Sequence, residues 1–529
     1  MLRVTDLVLA MFLVAGLCSC GHSDGPSGSS TVLRRGIGGD ISTLDPAAAA
    51  DNFSAQVLQD LYEGLTTESS TGDVLPAVAA SWTVDASSKE YTFHLRSDAR
   101  WSNGKPVRAR EFVAAWQRVV DPKQGSPAAD NLRLIAGAND IIAGHSPPSS
   151  LGIFAPSDDV LVVKLQHPAS YLPQLVTHSF TYPVYSDDSA RSHKPENWVS
   201  NGAYVLANWQ QGTRIELTKN SAYWNRSNVQ ISRVEYQVSS DQNSQVAQYR
   251  AGQLDMTDTV PPNAIPALRR ANSAELLIAP FLATAYYGVN IERPPFAANP
   301  SLRQALAMAI DRKRLVDALA FGQTGAFGFV PPSIWNYEPQ SWSWKQLGDA
   351  GRIAEAKRLY AKAGYSERKP LRLRLLYNSN TVIKQTAIII AAMWKETLGV
   401  DTDYAEEEYR VFLETRHDKS RWDVVRLGWT ADFNDAGNFL DTLRINSKNN
   451  DEGYANPAYD RLLDDAASTA DPTRRRELLQ AGERLMLADY PIIPLYHFVS
   501  KRLIKPYVHG VKPDPFDRIP TKTLTIAPH

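Results

Sequence analysis

The stretch GWTADFND, residues 428–435, places an acidic side chain where chemistry is expected. It closes the run WDVVRLGW, which is typical of a buried strand, and it sets Asp432 close behind Trp429. A carboxylate that near an apolar core costs several kcal/mol unless a cation or a set of hydrogen bonds compensates it. Asp432 is therefore expected either to bind a cationic group or to cap the turn or helix after the strand, as Asn434 and Asp435 could also do.

The familiar catalytic and cofactor motifs do not occur in the sequence. It contains no HExxH, GxSxG, Walker loop or CxxC, and its ten histidines lack metal-ligand spacing; His417 beside Arg416 is interpreted as a surface residue. The 57 acidic residues offer many pairs for hydrolysis, but no spacing singles one out. The residues therefore favour a binding protein without metal or cofactor over an enzyme.

Length and charge limit the remaining classes. A chain of 529 residues with 43% hydrophobic content is too long for one ordinary domain, so two or three lobes are expected. The formal net charge is only -1, which provides no overall basic field for nucleic acid. We expect no nucleic-acid partner.

The N-terminus is typical of an export signal. Residues 7–17 are apolar but too short to span a bilayer, and LCSC at residues 17–20 resembles a bacterial lipobox. This predicts a lipoprotein signal peptide at 1–19 and a lipidated Cys20 followed by a flexible Gly/Ser-rich tether, together 20–30. The alternatives are an unlipidated signal or a short buried apolar segment. Cys18 and Cys20 are the only cysteines, so no disulfide is expected after cleavage.

The elements needed to position Asp432 can be traced by periodicity. EYTFHLR, residues 90–96, alternates as a half-buried strand does, and REFVAAWQRVV has the apolar stripe of a helix. Four further strands are predicted, at 160–165, 203–209, 214–220 and 232–238.

From about residue 285 helices and strands alternate. Asn299 and Pro300 can begin a helix, further helices are predicted at 351–365 and 381–398, and strands are expected at 371–378, near 400–405 and at 422–429. This alternation predicts an α/β lobe with a largely parallel sheet, and such sheets bind ligands at the ends of their strands. The residues after Trp429 lie at such an end.

Several stretches, in order along nearly the whole chain, resemble solute-binding protein family 5 of ABC importers. They are LYEGL (61–65), the block LPAVAASWTVDASSKEYTFHLRSDARWSNGKPVRAREFVAAWQRVVDP (75–122), NGAYVLANW (201–209), YRAGQLDMT (249–257), LRQALAMAIDR (302–312), AKRLYAKAGY (356–365) and FLETRHDKSRWDVVRLGWTADFND (412–435). The sequence is most similar to the oligopeptide-binding branch.

The resemblance implies an α/β fold in the form of a two-lobed periplasmic-binding-protein clamp (type II-like, class C) with an additional family-specific domain. By analogy, lobe I comprises residues 31–62, 185–282 and 498–529, domain II comprises 63–184, and lobe III comprises 283–497. The ligand would lie between the lobes and close them around itself.

The resemblance also implies roles for individual residues. Asp432, in a setting formed by Gly428, Trp429 and Thr430, would pair with the α-ammonium group of a peptide. Arg426 and Arg416 match arginines near the far end of short peptides, with a salt bridge to a neighbouring acid as the alternative for each. Tyr409 matches an aromatic residue that lines a side-chain pocket, or it belongs to the core. Tyr286 would lie at the hinge into lobe III.

Some positions depart from the family pattern. Ala283 and Thr430 occupy the places where some members carry a cysteine pair, and Ile383 replaces a histidine that can meet the peptide carboxylate. The segment 319–323 offers no lysine for that task, and Ala50 and Ala128 replace larger cleft residues. The site for the amine is thus expected to be preserved and the site for the carboxylate altered.

The implied function is that of a monomeric, extracytoplasmic oligopeptide-binding lipoprotein. It would be held to a membrane by its lipid and would deliver peptides to an ABC permease and ATPase complex. An alternative of the same kind is a binder of a modified peptide, such as murein tripeptide or a glutathione-like ligand. From other classes, an exported peptide hydrolase and a chaperone-like envelope protein remain as alternatives.

Overall fold

The structure is a computed structural model, and it describes residues 31–49, 51–185, 197–271 and 274–529. The predicted signal peptide, the lipidation site at Cys20, the tether and Ala50 lie outside the described residues.

The strands of the described chain include every strand predicted from periodicity. They are β1 Val32–Ile37, β2 Thr66–Glu68, β3 Val74–Pro76, β4 Ala79–Val84, β5 Glu90–Leu95, β6 Ile153–Ser157, β7 Val160–Lys164, β8 Tyr204–Gln210, β9 Arg214–Lys219, β10 Arg233–Val238, β11 Leu276–Val289, β12 Thr324–Gly325, β13 Arg372–Asn378, β14 Asp401–Glu407, β15 Val424–Thr430, β16 Ile492–Leu503, β17 Val508–His509 and β18 Thr525–Ile526.

The helices are distributed over the same regions, with the longest in the second half of the chain. They are α1 Asn52–Leu61, α2 Ala109–Val120, α3 Ala138–Ile142, α4 Leu172–Leu175, α5 Gln242–Arg250, α6 Ile265–Arg270, α7 Pro300–Ala309, α8 Arg312–Leu319, α9 Asp349–Lys362, α10 Thr381–Leu398, α11 Tyr409–Thr415, α12 Gly437–Leu440, α13 Pro457–Ser468 and α14 Pro472–Asp489.

Local signals set several of these boundaries. The side chain of Asn299 accepts a hydrogen bond from the backbone of Leu302, and Pro300 is the first residue of α7, as predicted. Helix α10 ends at Gly399, whose positive φ of 76° suits a residue without a Cβ atom. In the described part of the chain, no helix combines the length and apolarity needed to cross a membrane.

Three larger sheets organise the molecule. Two have four strands, in the orders β1-β10-β9-β8 and β4-β5-β7-β6, and one has six, in the order β12-β16-β11-β15-β13-β14. The largely parallel sheet predicted for lobe III is wrong: only β13 pairs in parallel, with β14 and β15, whereas β11, β12, β15 and β16 are joined by antiparallel pairings. The cause is that β11 and β16 enter from outside the alternating region and pair with each other, a contact far apart in sequence.

The apolar core of the described residues divides into two large clusters and a small third one, which lies between Val246 and Leu268 with Leu503. One cluster is built from residues between Leu282 and Tyr496, and another from residues between Leu33 and Met256 together with Val508, Ile519 and Leu524. The predicted lobe boundaries at 282/283 and 497/498 both fall inside the long paired strands β11 and β16. These two strands are therefore the covalent connection between the clusters.

The ladder between β11 and β16 is irregular at the point where the two clusters meet. Pro280 pairs with Val499 and Thr284 with His497, so three residues of β11 lie opposite one residue of β16. The backbone N–H of Leu282, inside this bulge, donates to the carbonyl of Pro515, and the carbonyl of Leu282 accepts from Ala431, both at 2.9 Å. The bulge thus holds the backbone of Ala431, the residue that precedes Asp432.

Candidate functional site

A cavity of about 500 Å³ opens between helix α1 and the end of strand β15. Thr430, Ala431 and Asp432 form the wall on the β15 side, and Phe281 from the β11 bulge lies beside them. Ala128, one of the substituted cleft positions, also lines this cavity. We call it the Asp432 cavity.

Asp432 is held by Asn438, which no sequence signal indicated. The Oδ1 atom of Asn438 accepts from the indole Nε1 of Trp429 at 2.9 Å and from the backbone N–H of Asp432 at 3.1 Å. Its Nδ2 atom donates weakly to Oδ2 of Asp432 at 3.4 Å. One buried amide therefore fixes both the tryptophan and the carboxylate, and the link across six residues could be recognised only after folding.

Asp432 is exposed in this state of the molecule, although the sequence places it close to an apolar core. The side chain is exposed to the open cavity, whose opposite wall includes α1 and residues that follow β16. Protein atoms nevertheless crowd the carboxylate, and this partial burial raises the pKa of Asp432 above 3.8 while the Asn438 hydrogen bond opposes the shift. No cationic side chain of the described residues contributes to the pKa of Asp432.

Asn434 and Asp435, rather than Asp432, accept backbone hydrogen bonds through their side chains in the segment after β15. Asp435 is buried, pairs with the guanidinium of Arg475, and accepts from the backbone N–H of Gly437 at 2.7 Å. The Oδ1 atom of Asn434 accepts from the backbone N–H of Trp335 at 2.8 Å. Three residues apart, one aspartate is thus neutralised internally and the other has no cationic partner in the described chain. The two arginines that line the cavity, Arg502 and Arg518, are paired with other carboxylates.

Strand β15 leads from Asp432 along a partly open edge. Its pairing with β13 ends at Val425, whereas its pairing with β11 continues to Thr430. Because the N–H of Ala431 points toward β11, the alternation of an antiparallel ladder directs the backbone polar groups of Gly428 and Thr430 away from β11. Both residues are also exposed. An extended segment could hydrogen-bond to this edge.

A second cavity, of about 260 Å³, lies at the other end of this edge, and we call it the Arg426 cavity. It is lined by Pro262, Phe321, Gln323, Asn380, Val382, Ile383, Arg426, Tyr496, Phe498, Val499 and Lys501. Burial lowers the pKa of Arg426, and nearby tyrosines rather than carboxylates oppose that shift. Ile383 and the 319–323 segment, identified as departures at the carboxylate end, meet here.

Three other predicted site residues lie outside these two cavities or only beside them. Arg416 lies with Nε 3.6 Å from Oδ2 of the buried Asp451, which His417 contacts at 2.7 Å; this is the salt bridge considered as its alternative. Tyr409 is 53% exposed at the start of α11, so it is not a core aromatic. Tyr286 is buried against Phe329, with ring centroids 5.0 Å apart, and it reaches only a small cavity of about 10 Å³ beside Arg426.

The substituted cysteine positions are direct neighbours. Ala283 of β11 and Thr430 of β15 are cross-strand partners at the rim of the Asp432 cavity. The two positions where some family members carry a cysteine pair are thus adjacent in the fold. Within the described residues, no group of three or more histidine, cysteine, aspartate or glutamate side chains is arranged to hold a metal ion.

Comparison with known proteins agrees with this architecture. The model of bacterial extracellular solute-binding proteins, family 5 Middle, matches residues 73–451. The periplasmic oligopeptide-binding protein OppA of Salmonella typhimurium is 37% identical over 509 residues, which cover 94% of this chain and 93% of that protein.

Two solved structures show how the lobes are arranged. The unliganded open form of the periplasmic murein tripeptide-binding protein MppA has a TM-score of 0.88 at 32% identity, covering 95% of this chain and 99% of that one. OppA of Haemophilus influenzae in complex with the peptide RPPGFSPFR has a TM-score of 0.73 at 34% identity, covering 94% and 99%. The present structure is therefore more similar to the open form than to the peptide complex, in keeping with the exposed Asp432.

Proposed function

Because the chain belongs to family 5 of the bacterial extracellular solute-binding proteins, we propose that it captures short peptides between its lobes and holds their N-terminal amine at Asp432. The fold is the two-lobed α/β clamp of that family with its additional domain, and the family consists of solute-binding proteins rather than enzymes. The exported hydrolase considered from sequence is accordingly set aside.

The observation that carries the proposal is the isolated carboxylate of Asp432 on the wall of the larger cavity. An α-ammonium group entering the cavity would supply the cation that the described residues do not, through a charge-assisted hydrogen bond. A ligand lacking that amine would leave the carboxylate desolvated and unpaired once the lobes close, which is a source of specificity.

The open edge of β15 gives the peptide its direction. Backbone hydrogen bonds to Gly428 and Thr430 would hold an extended chain without reading its side chains, so many sequences would be accepted. Arg426 at the far end would meet the peptide carboxylate. Arg416 is left out of this proposed site because its guanidinium lies against Asp451.

Closure would follow from tighter binding of the peptide to the closed form than to the open form. Asp432 and Arg426 both belong to lobe III, whereas the opposite wall of the Asp432 cavity comes from α1 and from the tail after β16. The peptide would thus bind first to lobe III, and lobe I with domain II would close over it by bending at β11 and β16.

The remaining parts of the proposal follow the family. The closed, monomeric protein would deliver its peptide to an ABC permease and ATPase complex while a lipid on Cys20 holds it to the membrane. The second candidate is a specialised modified peptide, such as murein tripeptide or a glutathione-like ligand. It is favoured by one observation, namely that Ile383 lines the Arg426 cavity where a histidine could meet a carboxylate.

The test is native mass spectrometry of the protein lacking residues 1–20, purified without denaturation, followed by sequencing of released ligands. Ordinary peptides of one length class would support the proposal, and a single modified peptide would favour the second candidate. Calorimetry should then show that Asp432→Asn weakens binding by a few kcal/mol while leaving the unliganded protein as stable as before.

Asp435→Asn is the matched control, because it should reduce stability by breaking the pair with Arg475. Equal affinity of wild type and Asp432→Asn for free-amine peptides would contradict the assignment of the amine site.

A further inference from the structure

The Arg426 cavity contains a second cation that the family pattern did not indicate. Lys501, on β16 beyond the hinge bulge, lines this cavity opposite elements of lobe III. Its ammonium nitrogen lies 6.0 Å from the ring centroid of Phe321, on the loop that was noted for having no lysine of its own. A lysine from another element thus reaches the place that the 319–323 segment leaves without one.

Neither cation of this cavity is neutralised by the described part of the protein. No ion pair within 4 Å joins Arg426 or Lys501 to a carboxylate there. The acid whose charge acts on Lys501 is Asp517, and that carboxylate is itself paired with Arg502. Two positive charges therefore border about 260 Å³ of open space.

Gln323 is an independent sign of a missing polar partner. It is only 7% exposed, and within the described chain neither its Oε1 nor its Nε2 atom has a hydrogen-bond partner. A buried primary amide without partners is unfavourable, whereas its N–H groups would be satisfied by an oxygen atom in the cavity. The N-terminus of α10 also lies at this wall, through Asn380, Val382 and Ile383, and its dipole favours negative charge.

We propose that Lys501, Arg426 and Gln323 form a subsite for a ligand end that carries two negative charges, as a peptide with a C-terminal glutamate or aspartate does. Arg426 would take one carboxylate and Lys501 the other, with the Gln323 amide donating to either. This inference rests on the proposed function and adds to it a preferred class of peptide.

The subsite would also contribute to closure. Arg426 belongs to lobe III and Lys501 to the lobe I side of the hinge strand, so a doubly charged ligand end would bridge the lobes. A ligand with a single carboxylate would leave one cation without a partner. The acidic C-terminus would thus favour the closed form more strongly than a neutral one does.

The test compares tripeptides that differ only in the last side chain, Ala-Ala-Glu and Ala-Ala-Gln, by calorimetry on the protein lacking residues 1–20. Wild type should bind the glutamate peptide about tenfold more tightly at low salt, and the preference should shrink as salt is added. Lys501→Met should remove the preference while changing the affinity for Ala-Ala-Gln less than about threefold.

Lys505→Met is the matched control, because this lysine lies four residues further along, over the ring of Tyr249, and lines neither cavity. It should keep the wild-type preference. Lys501→Glu provides a second variant, and it should shift the preference toward Ala-Ala-Lys.

The outcomes separate the two proposals. Equal binding of Ala-Ala-Glu and Ala-Ala-Gln to wild type, or an unchanged preference in Lys501→Met, would overturn the two-cation subsite while peptide binding stands. Failure of every free-amine peptide to bind would overturn the proposed function, and the subsite with it.

Discussion

Phe433, the residue after Asp432, stacks on Tyr171, in the predicted domain II, with ring centroids 4.9 Å apart and planes inclined by only 9°. Its ring packs with the apolar cluster built from residues between Leu33 and Met256 rather than with the one built from residues between Leu282 and Tyr496. The guanidinium of Arg475, which pairs with Asp435, lies 5.2 Å from the same tyrosine ring. The segment that carries the proposed amine site is therefore held by a part of the fold distant in sequence.

This contact predicts a role for Tyr171 in binding. An aromatic pair of this kind contributes about 0.5–1.5 kcal/mol beyond its buried area, so Tyr171→Ala should weaken peptide affinity by roughly 2- to 12-fold by loosening the position of Asp432. Tyr171→Phe keeps the ring and should bind as wild type does. Calorimetry with a free-amine tripeptide measures both, and wild-type affinity in Tyr171→Ala would show that the stack does not position the carboxylate.

Glu452 predicts an unusual dependence of stability on pH. Its side chain is fully buried behind Gly288, neither carboxylate oxygen has a partner in the described chain, and burial raises the pKa of Glu452 to about 8. The folded protein thus keeps this proton up to about pH 8, whereas the unfolded chain loses it near pH 4.5. The contribution of Glu452 to the free energy of unfolding is fully present below about pH 4.5 and is lost progressively as the pH rises to about 8.

Glu452→Gln removes this titration. The variant should match wild type at pH 4 and exceed its free energy of unfolding by a few kcal/mol at pH 8, measured by denaturant unfolding. Glu483→Gln is the control with hydrogen bonds to lose, because that buried carboxylate accepts from the backbones of Phe329, Val330 and Gln340 and from the hydroxyl of Tyr337. It should lower stability at both pH values, and a Glu452→Gln curve parallel to wild type would contradict the titration.

A disulfide can be introduced at the positions of Ala283 and Thr430, which are cross-strand partners. Since the N–H of Ala431 donates to the carbonyl of Leu282, the next pair, Ala283 and Thr430, is a non-hydrogen-bonded pair. The Cα atoms of such pairs are about 4.5 Å apart, which a disulfide can span. The double variant Ala283→Cys/Thr430→Cys, lacking residues 1–20, should show no free thiol and gain about 2–4 kcal/mol over its reduced form.

Each single cysteine variant provides the control, because it should titrate one thiol and gain nothing on oxidation. Two free thiols in the oxidised double variant would show that the register at the rim of the cavity differs from that described.

The sequence predicted this region best where the signals are local. The strand that ends at Thr430, the capping of α7 by Asn299 and the end of α10 at Gly399 all depend on residues within a few positions of each other. These positions follow from backbone preferences that hold in any tertiary context. The strand that ends two residues before Asp432 was therefore located correctly.

What the sequence could not supply depends on contacts between distant residues. Nothing near Arg416 indicates Asp451, and nothing near Arg426 indicates Lys501, 75 positions further along, on the other side of the hinge. The exposure of Asp432 depends on how far the lobes are apart, a property of the whole molecule. The antiparallel pairing of β11 and β16 likewise joins segments about 200 residues apart, where periodicity carries no information.

The spacing between Asp432 and Arg426 predicts the preferred peptide length. The Nη2 atom of Arg426 lies 3.6 Å from the position that a Cβ atom on Gly428 would occupy, so the guanidinium is level with Gly428. From there to Asp432 is four residues, about 13 Å along an extended chain, which matches peptides of three or four residues. Because Arg426 lies in β15 and Asp432 directly follows it, this distance should not change when the lobes close.

Affinity measured for an alanine series of two to six residues should therefore peak at three or four. Acetylation of the N-terminus should weaken every member, since it removes the charge that Asp432 would pair with. Arg426→Met should flatten the length preference without removing the effect of acetylation, because only the carboxylate end loses its partner. A series that binds equally at all lengths, or a peak that survives in Arg426→Met, would place the carboxylate elsewhere in the cleft.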